Sequence, residues 1–377
     1  MKKFAYFLFF AVIILFTACK DDDNNGHEIQ EDANLQGAVT EDRTLVASVA
    51  YQLTGALSVK NGATLTIPAG TTIKSNKGFS NYIIVEQGGK ININGTADKP
   101  VKMTSGEVNP SAGDWGGLII NGYAPISGAT TGTTSATEID SNLPYGGNKV
   151  DDNSGSITYL IIEYPGARST ADIEHNGLTL NGVGNGTKIE NIYILESSDD
   201  GIEFFGGSVN VTNLLVINSD DDMFDATQGW SGTLNNAYGE WKSGFTSTEA
   251  DPRGVEADGN FDGNGPTHVG QSDFKISNMT IVNNSDFEMQ DAIKIRRGAK
   301  ATITNALVKG SGKVTDLVDL TDSKGDGTTT TSIKVSYTGI TLGSQIKQPA
   351  AGNADITVAA GNTGADTSKF SWTGVSL

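Results

Sequence analysis

Apolar and polar positions alternate with a period of two in short runs, each bounded by glycine, and the runs recur. "VKNGATLTIPAGT" from Val59 aligns with "VEQGGKININGT" from Val85, placing Val59 on Val85, Gly62 on Gly88, Leu65 on Ile91 and Ile67 on Ile93. Further on, "IENIYILESSDDGIEF" from Ile189 aligns with "VTNLLVINSDDDMFDA" from Val211, at an offset of 22 residues. Alternation of this kind predicts strands with one buried face. Recurrence every 22–26 residues predicts a solenoid in which each period is one coil. A single coil cannot bury its apolar face, whereas stacked coils share a continuous column. The expected fold is therefore all-β: a right-handed parallel β-helix with capped ends and one long insertion. Ile202 and Phe204 should point inward with Glu203 outward, and one coil later Phe224 and Ala226 inward with Asp225 outward.

The same reading divides the chain. Residues 1–18 read as an export signal, with Lys2 and Lys3 before the apolar run Phe4 to Phe16, too short to span a bilayer. Residues 19–44 hold eight acids and two bases and read as a disordered tether. The coils are expected over 45–310, interrupted by a loop at 127–156 and an insertion at 227–275. Residues 311–377 should form C-terminal β coils or a cap. The one cysteine, Cys19, excludes a disulfide within the chain. A net charge of −18 disfavours nucleic acid and anionic membrane surfaces as direct partners, while suiting divalent cations and neutral or cationic glycans.

"LFTAC" resembles the bacterial lipobox, with Cys19 as the lipidated residue and Phe16 where Leu is usual. Lys20-Asp21-Asp22-Asp23 is similar to the export signal of Bacteroidota surface lipoproteins. The resemblance implies an outer-membrane location facing the cell exterior, with the lipid as the only membrane contact. "GDWGGLIINGYAPI" from Gly113 and "NGLTLNGVGNGTKIENI" from Asn176 also resemble bacterial surface proteins with this fold.

Extending the alignment to "EHNGLTLNG" and "MQDAIKIRRG" stacks the acids. One column reads Asn176, Asp200, Asp222, Asp291; a second Thr179, Glu203, Asp225, Lys294; a third His175, Asp199, Asp221, Gln290. Neighbouring coils lie about 4.8 Å apart, and like charges facing each other at that distance are destabilising. Ca²⁺ bridging Asp199, Asp200, Asp221, Asp222 and Asp291 would relieve them. So would Lys294 and Arg296 as neutralising neighbours, or carboxyls that keep their protons. Glu203, Asp225 and Arg296 on the wall, with Trp230, Tyr238 and Trp241 in the insertion, are the expected ligand contacts. Asn218 and Asn283, at the ends of corresponding strands, suggest an internal asparagine ladder.

Ser198-Asp199-Asp200 and Asp221-Asp222 resemble the acidic motifs of polygalacturonases, which are β-helices. Lys294-Ile295-Arg296 is a reversed echo of their Arg-Ile-Lys motif, and their Gly-His-Gly motif has no counterpart. The resemblance implies Asp222 as general acid with Asp200 and Asp221 as bases. A lyase resemblance would instead use Ca²⁺ with Lys294, Arg296 or Arg297 as base. Against these stands a surface protein that binds a glycan or an outer-membrane partner without turnover, or a structural accessory of a surface layer or transporter. Binding without turnover is the expected role.

Overall fold

The computed structural model describes residues 32–170 and 173–377. The signal stretch, Cys19 and the first part of the tether lie outside the described residues. Among the described residues, twenty-four strands form one sheet, and every strand pairing within it is parallel. Each strand bonds to those one coil before and after it, so the sheet winds around an axis as a parallel β-helix. The aligned repeats pair in the expected register: Val59 with Val85, Leu65 with Ile91, Ile189 with Val211 and Glu203 with Asp225.

Two strand types alternate through the central coils. Long strands (Gly155–Glu163, Lys188–Leu195, Asn210–Ile217, Thr233–Trp241, Asp273–Asn283 and Lys300–Gly310) each bend at one residue with positive φ. The bend residues are Tyr159, Asn191, Asn213, Asn236, Asn278 and Asn305, with φ between 52° and 60°. Asparagine tolerates this left-handed conformation better than most residues. Its amide also bonds the coil before: Asn213 Nδ2 donates to Asn191 Oδ1 and Asn236 Nδ2 to Asn213 Oδ1, both at 2.8 Å. Asn305 Nδ2 donates to Asn278 Oδ1, again at 2.8 Å. The ladder thus runs through mid-strand bends and not through Asn218 and Asn283. Those two cap other turns, Asn218 Oδ1 accepting from Lys242 N–H and Asn283 Nδ2 donating to the Phe287 and Lys313 carbonyls.

The short strands (Leu178–Asn181, Ile202–Phe205, Phe224–Thr227, Arg253–Asp258, Met289–Arg296 and Lys313–Asp319) stack into one wall. Their inward side chains include Phe204, stacked on Trp230 at 4.0 Å, which in turn stacks on Phe274 at 5.0 Å. Winding starts earlier than expected, because Asn34–Val39 and Arg43–Thr44 already pair with later strands. Leu35, Val39 and Leu45 supply the buried residues of this first coil. The expected insertion at 227–275 is instead a full coil. Thr233–Trp241 and Arg253–Asp258 are regular rungs, and only 242–252 and 259–272 leave the column.

Beyond residue 310, strands Lys313–Asp319, Ser332–Thr338, Thr341–Lys347 and Asp355–Val358 continue the stack. The chain then turns back along the outside as a strap. Thr363 N–H donates to Asn305 Oδ1 at 2.7 Å, Ala365 N–H to Thr280 Oγ1 at 2.9 Å, and Asp366 N–H to Asn236 Oδ1 at 2.7 Å. Phe370 is fully buried in an outer apolar stripe of Ile161, Tyr193, Leu215, Tyr238 and Val282. The loop at 127–156 contains an antiparallel hairpin, Thr134–Thr137 with Asp140–Gly146. It lies against the wall: Glu138 and Tyr145 line a small cavity with Asn176, Thr179 and Phe205.

Candidate functional site: an acid wall

The wall's outward positions form columns. In the first, each side chain caps the backbone of the next coil. Asp200 N–H donates to Asn176 Oδ1 at 3.2 Å, Asp222 N–H to Asp200 Oδ1 at 2.9 Å and Arg253 N–H to Asp222 Oδ1 at 2.7 Å. Short carboxylates and amides therefore sit here partly because the turn leaves a buried N–H that needs an acceptor. Arg253 ends the run, and Asp291 pairs with Arg253 rather than Asp222. Asp291 is thus two rungs beyond Asp222. The skipped rung is the coil taken for an insertion.

The second column reads Thr179, Glu203, Asp225, Glu256, Lys294, Asp319 and Lys347. Its two halves differ in charge. From Glu256 onward, acids and bases interleave. Glu256 pairs with Arg253 and Arg296, Arg296 Nε bonds Asp258 at 2.8 Å, and Lys294 Nζ bonds Asp319 at 2.7 Å. Lys347 Nζ lies 2.5 Å from Asp316. Lys294 and Arg296, expected as a lyase base and a ligand contact, are both engaged in ion pairs with acids of the wall.

The upper half has less relief: Arg253 favours the charged forms of Asp221 and Asp222, and Arg296 that of Asp225, but none of these three acids is in a direct ion pair among the described residues. Asp199, Asp200, Glu203, Asp221, Asp222 and Asp225 occupy two consecutive rungs. The cation recorded against Asp199 is Arg168, at 3.9 Å, and Arg168 is already engaged by Glu174 at 3.2 Å and Glu249 at 2.6 Å. Asn176 Nδ2 donates to Glu203 Oε2 at 2.5 Å. Two unit charges about 4.8 Å apart repel by roughly 3 kcal/mol at an effective dielectric near 20. Burial pushes the carboxyls up first, and neighbouring carboxylates push them further: Asp199 and Asp225 on Asp200, Asp225 and Glu138 on Glu203, Glu256 and Asp258 on Asp225. Burial with Glu256 and Glu249 raises Asp221 to about 7.

Three groups of oxygens here lie within 4.8 Å of one another: Asp199, Asp200 and Asp221; Asp200, Glu203 and Asp225; Asp222, Asp225 and Glu256. Asp221 Oδ1 and Asp225 Oδ1 are buried atoms with no hydrogen-bond partner. An all-oxygen donor set of loose geometry fits Ca²⁺ better than a transition metal. A fourth group, Asp291, Asp316 and Asp319, has similar spacing, but Arg253, Lys294 and Lys347 already balance it.

The aromatic residues expected at the ligand face are elsewhere. Trp230 and Trp241 are in the central core and Tyr238 is under the strap. Trp230 and Trp241 sit at corners or strand ends that turn them inward, whereas Tyr238 faces outward and is covered by the strap. His175 is enclosed by Phe79 and Tyr82, at 4.6 and 5.0 Å, and burial lowers it to about 4, so it stays neutral. Arg168, Arg253, Glu256 and Glu138 were not anticipated. "PRGVEAD" around Arg253 repeats the rung pattern with Arg in place of Asp, which is the signal that could have found two of them.

Among solved structures, similarity is found to the catalytic domain of a GH87 α-1,3-glucanase in complex with tetrasaccharides, at 11% identity and a TM-score of 0.32, covering 87% of this chain and 63% of that one. The alginate lyase from Paenibacillus sp. matches at 12% identity and a TM-score of 0.23, covering 81% of this chain and 99% of that one. The chain thus spans less than two thirds of the glucanase domain, and the scores are too low for either likeness to bear on activity. No curated protein matches the sequence. Residues 37–374 match the family described as the pectate-lyase-like β-helix domain, and with most of its length inside that match the chain belongs to this family.

Proposed function

We propose that this is a lipid-anchored surface protein, held at the outer membrane through Cys19, that binds an extracellular glycan on the acid wall without turning it over. A divalent cation, Ca²⁺ by its donor set, sits among Asp200, Glu203 and Asp225 and offers its remaining coordination positions to glycan oxygens. The observation that carries this reading is the charge contrast along one wall: above Glu256 consecutive carboxylates whose one direct ion pair among the described residues is the long Arg168–Asp199 contact, and interleaved close ion pairs below it. The half-buried Asp221 and Asp225 give a ligand access to this region. Binding is favoured over lyase chemistry because Lys294 and Arg296 are already paired.

Hydrolysis has one observation in its favour. Asp221, raised to about 7, holds a proton near neutrality as a general acid must. One assay separates the readings. The protein lacking residues 1–19 is passed over immobilised pectin, alginate and glycosaminoglycans with Ca²⁺ or EDTA, while reducing ends and unsaturated products are followed. Calcium-dependent retention without products is expected. Products that Asp221→Asn abolishes would replace binding with hydrolysis. Failure of retention on every glycan would contradict the proposal and point to the accessory role, tested by co-purification with an outer-membrane β-barrel.

A further inference from the structure

Beside the acid wall, the turns that lead into it open on a groove of about 690 Å³. Its floor is made by Glu196, Ser197 and Ser198 from one coil and Asn218 and Asp220 from the next. Arg168 stands on one side and loop 242–252 on the other. We infer, building on the glycan reading above, that this groove is a separate subsite for a neutral sugar residue of the bound chain.

The lining excludes charged ligands in turn. Arg168 is already shared among Glu174, Glu249 and Asp199, so it has little attraction left for an anion. Asp220 is spent on the loop, accepting from Thr248 N–H at 2.8 Å and from the Thr248 hydroxyl, so it is poorly placed to hold a cation. Apart from the half-buried carboxylate of Glu196, which would repel an anionic ligand, what remains is neutral. Ser197 is almost wholly buried, lines the groove, and its hydroxyl has no partner in the protein. A buried hydroxyl left without a partner costs on the order of 1–3 kcal/mol, which a ligand hydroxyl would recover. Ser243 and Thr246 add hydroxyls that both donate and accept, while Ser198 and Thr248, whose protons go to the Gly166 carbonyl and Asp220, can still accept. Phe245 packs against Trp241 at 5.4 Å and also lines the groove. A half-buried aromatic among hydroxyls suits a pyranose, which has an apolar face and a polar rim. The volume is within the range of small-ligand sites.

The test uses the protein lacking residues 1–19 and the tetrasaccharides maltotetraose, cellotetraose and mannotetraose, titrated calorimetrically with Ca²⁺ and with EDTA. Ser243→Trp and Thr246→Trp, both at exposed positions, fill the groove independently; Asp225→Asn alters only the wall. At least one neutral tetrasaccharide should bind in either buffer, at least tenfold more weakly to both Trp variants, and within about twofold of wild type to Asp225→Asn. Thermal melts confirm that each variant is folded. Unchanged binding in both Trp variants would overturn the subsite. So would the absence of neutral binding while calcium-dependent retention on polysaccharide persists, a result that leaves the wall reading standing. Loss of that retention with neutral binding intact would remove the wall reading instead.

Discussion

A buried carboxylate beside another must keep its proton, find a cation or accept enough hydrogen bonds to hold its charge. Asp200 and Asp222 do part of the last, each accepting a backbone N–H from the following coil. Asp225 has an oxygen with no such partner, so it is the cleaner site for probing charge without breaking the backbone ladder. The asparagines at the bends combine the two roles differently, tolerating positive φ while bonding along the stack. Asn236 donates to Asn213 and accepts from the strap at Asp366. Asn236→Ala should therefore cost about 2–3 kcal/mol, combining backbone strain with two lost hydrogen bonds. Urea denaturation of the two proteins checks this; a loss below about 0.5 kcal/mol would mean that the bend is held by its neighbours alone.

At the scale of elements, the strap joins coils far apart in sequence. Asn236, Thr280 and Asn305 each accept a strap N–H, and Trp372 meets Tyr159 edge-on at 5.3 Å. Phe370 is its buried anchor, so Phe370→Ala should destabilise the protein by about 3–5 kcal/mol. It should also speed hydrogen exchange at Tyr193, Leu215 and Tyr238. Unchanged exchange there would show that the strap is dispensable. Much of the winding was legible in the sequence, because every rung repeats the same inward alternation. Coil 233–258 was not. Ala237, Gly239 and Ala257 blur its apolar periodicity, and loop 242–252 adds aromatic residues suggestive of a binding insertion. The Asn bends were printed in "IEN", "VTN", "LNN", "ISN" and "ITN", yet each looks like one more outward polar residue in an alternating run. The strap could not be foreseen, since its hydrogen-bond partners lie from 58 to 130 residues back in the chain and Tyr159, under Trp372, still further.

Across the whole molecule, the decisive feature is where the charges stop being balanced. That depends on coil order, so one missed coil moved Asp291 next to Asp222 and hid Arg253 between them. The upper acids came together as expected, whereas the bases intended to act on them serve the lower rungs. The imbalance has a pH signature. Burial and neighbouring acids raise Asp221 to about 7 in the folded protein against about 4 for a free carboxyl, and the acids around it are also raised well above their ordinary values. Between those values the folded state holds more protons than the unfolded, so stability falls as pH rises. His175, lowered to about 4, acts oppositely between about 4 and 6.5, which leaves pH 6.5 to 8 as the clean window. In EDTA, stability should drop by about 1 kcal/mol or more across that window, and Ca²⁺ should flatten the drop. A flat profile in EDTA would mean that the wall acids are already neutralised.

The central claim is that the upper wall, and not the lower, takes a cation. Calorimetric titration of Ca²⁺ into EDTA-treated, dialysed protein at pH 7.5 tests it directly. The account predicts saturable binding that Asp225→Asn weakens at least tenfold and Asp316→Asn leaves unchanged. No heat of binding, or binding lost in Asp316→Asn and retained in Asp225→Asn, would contradict it.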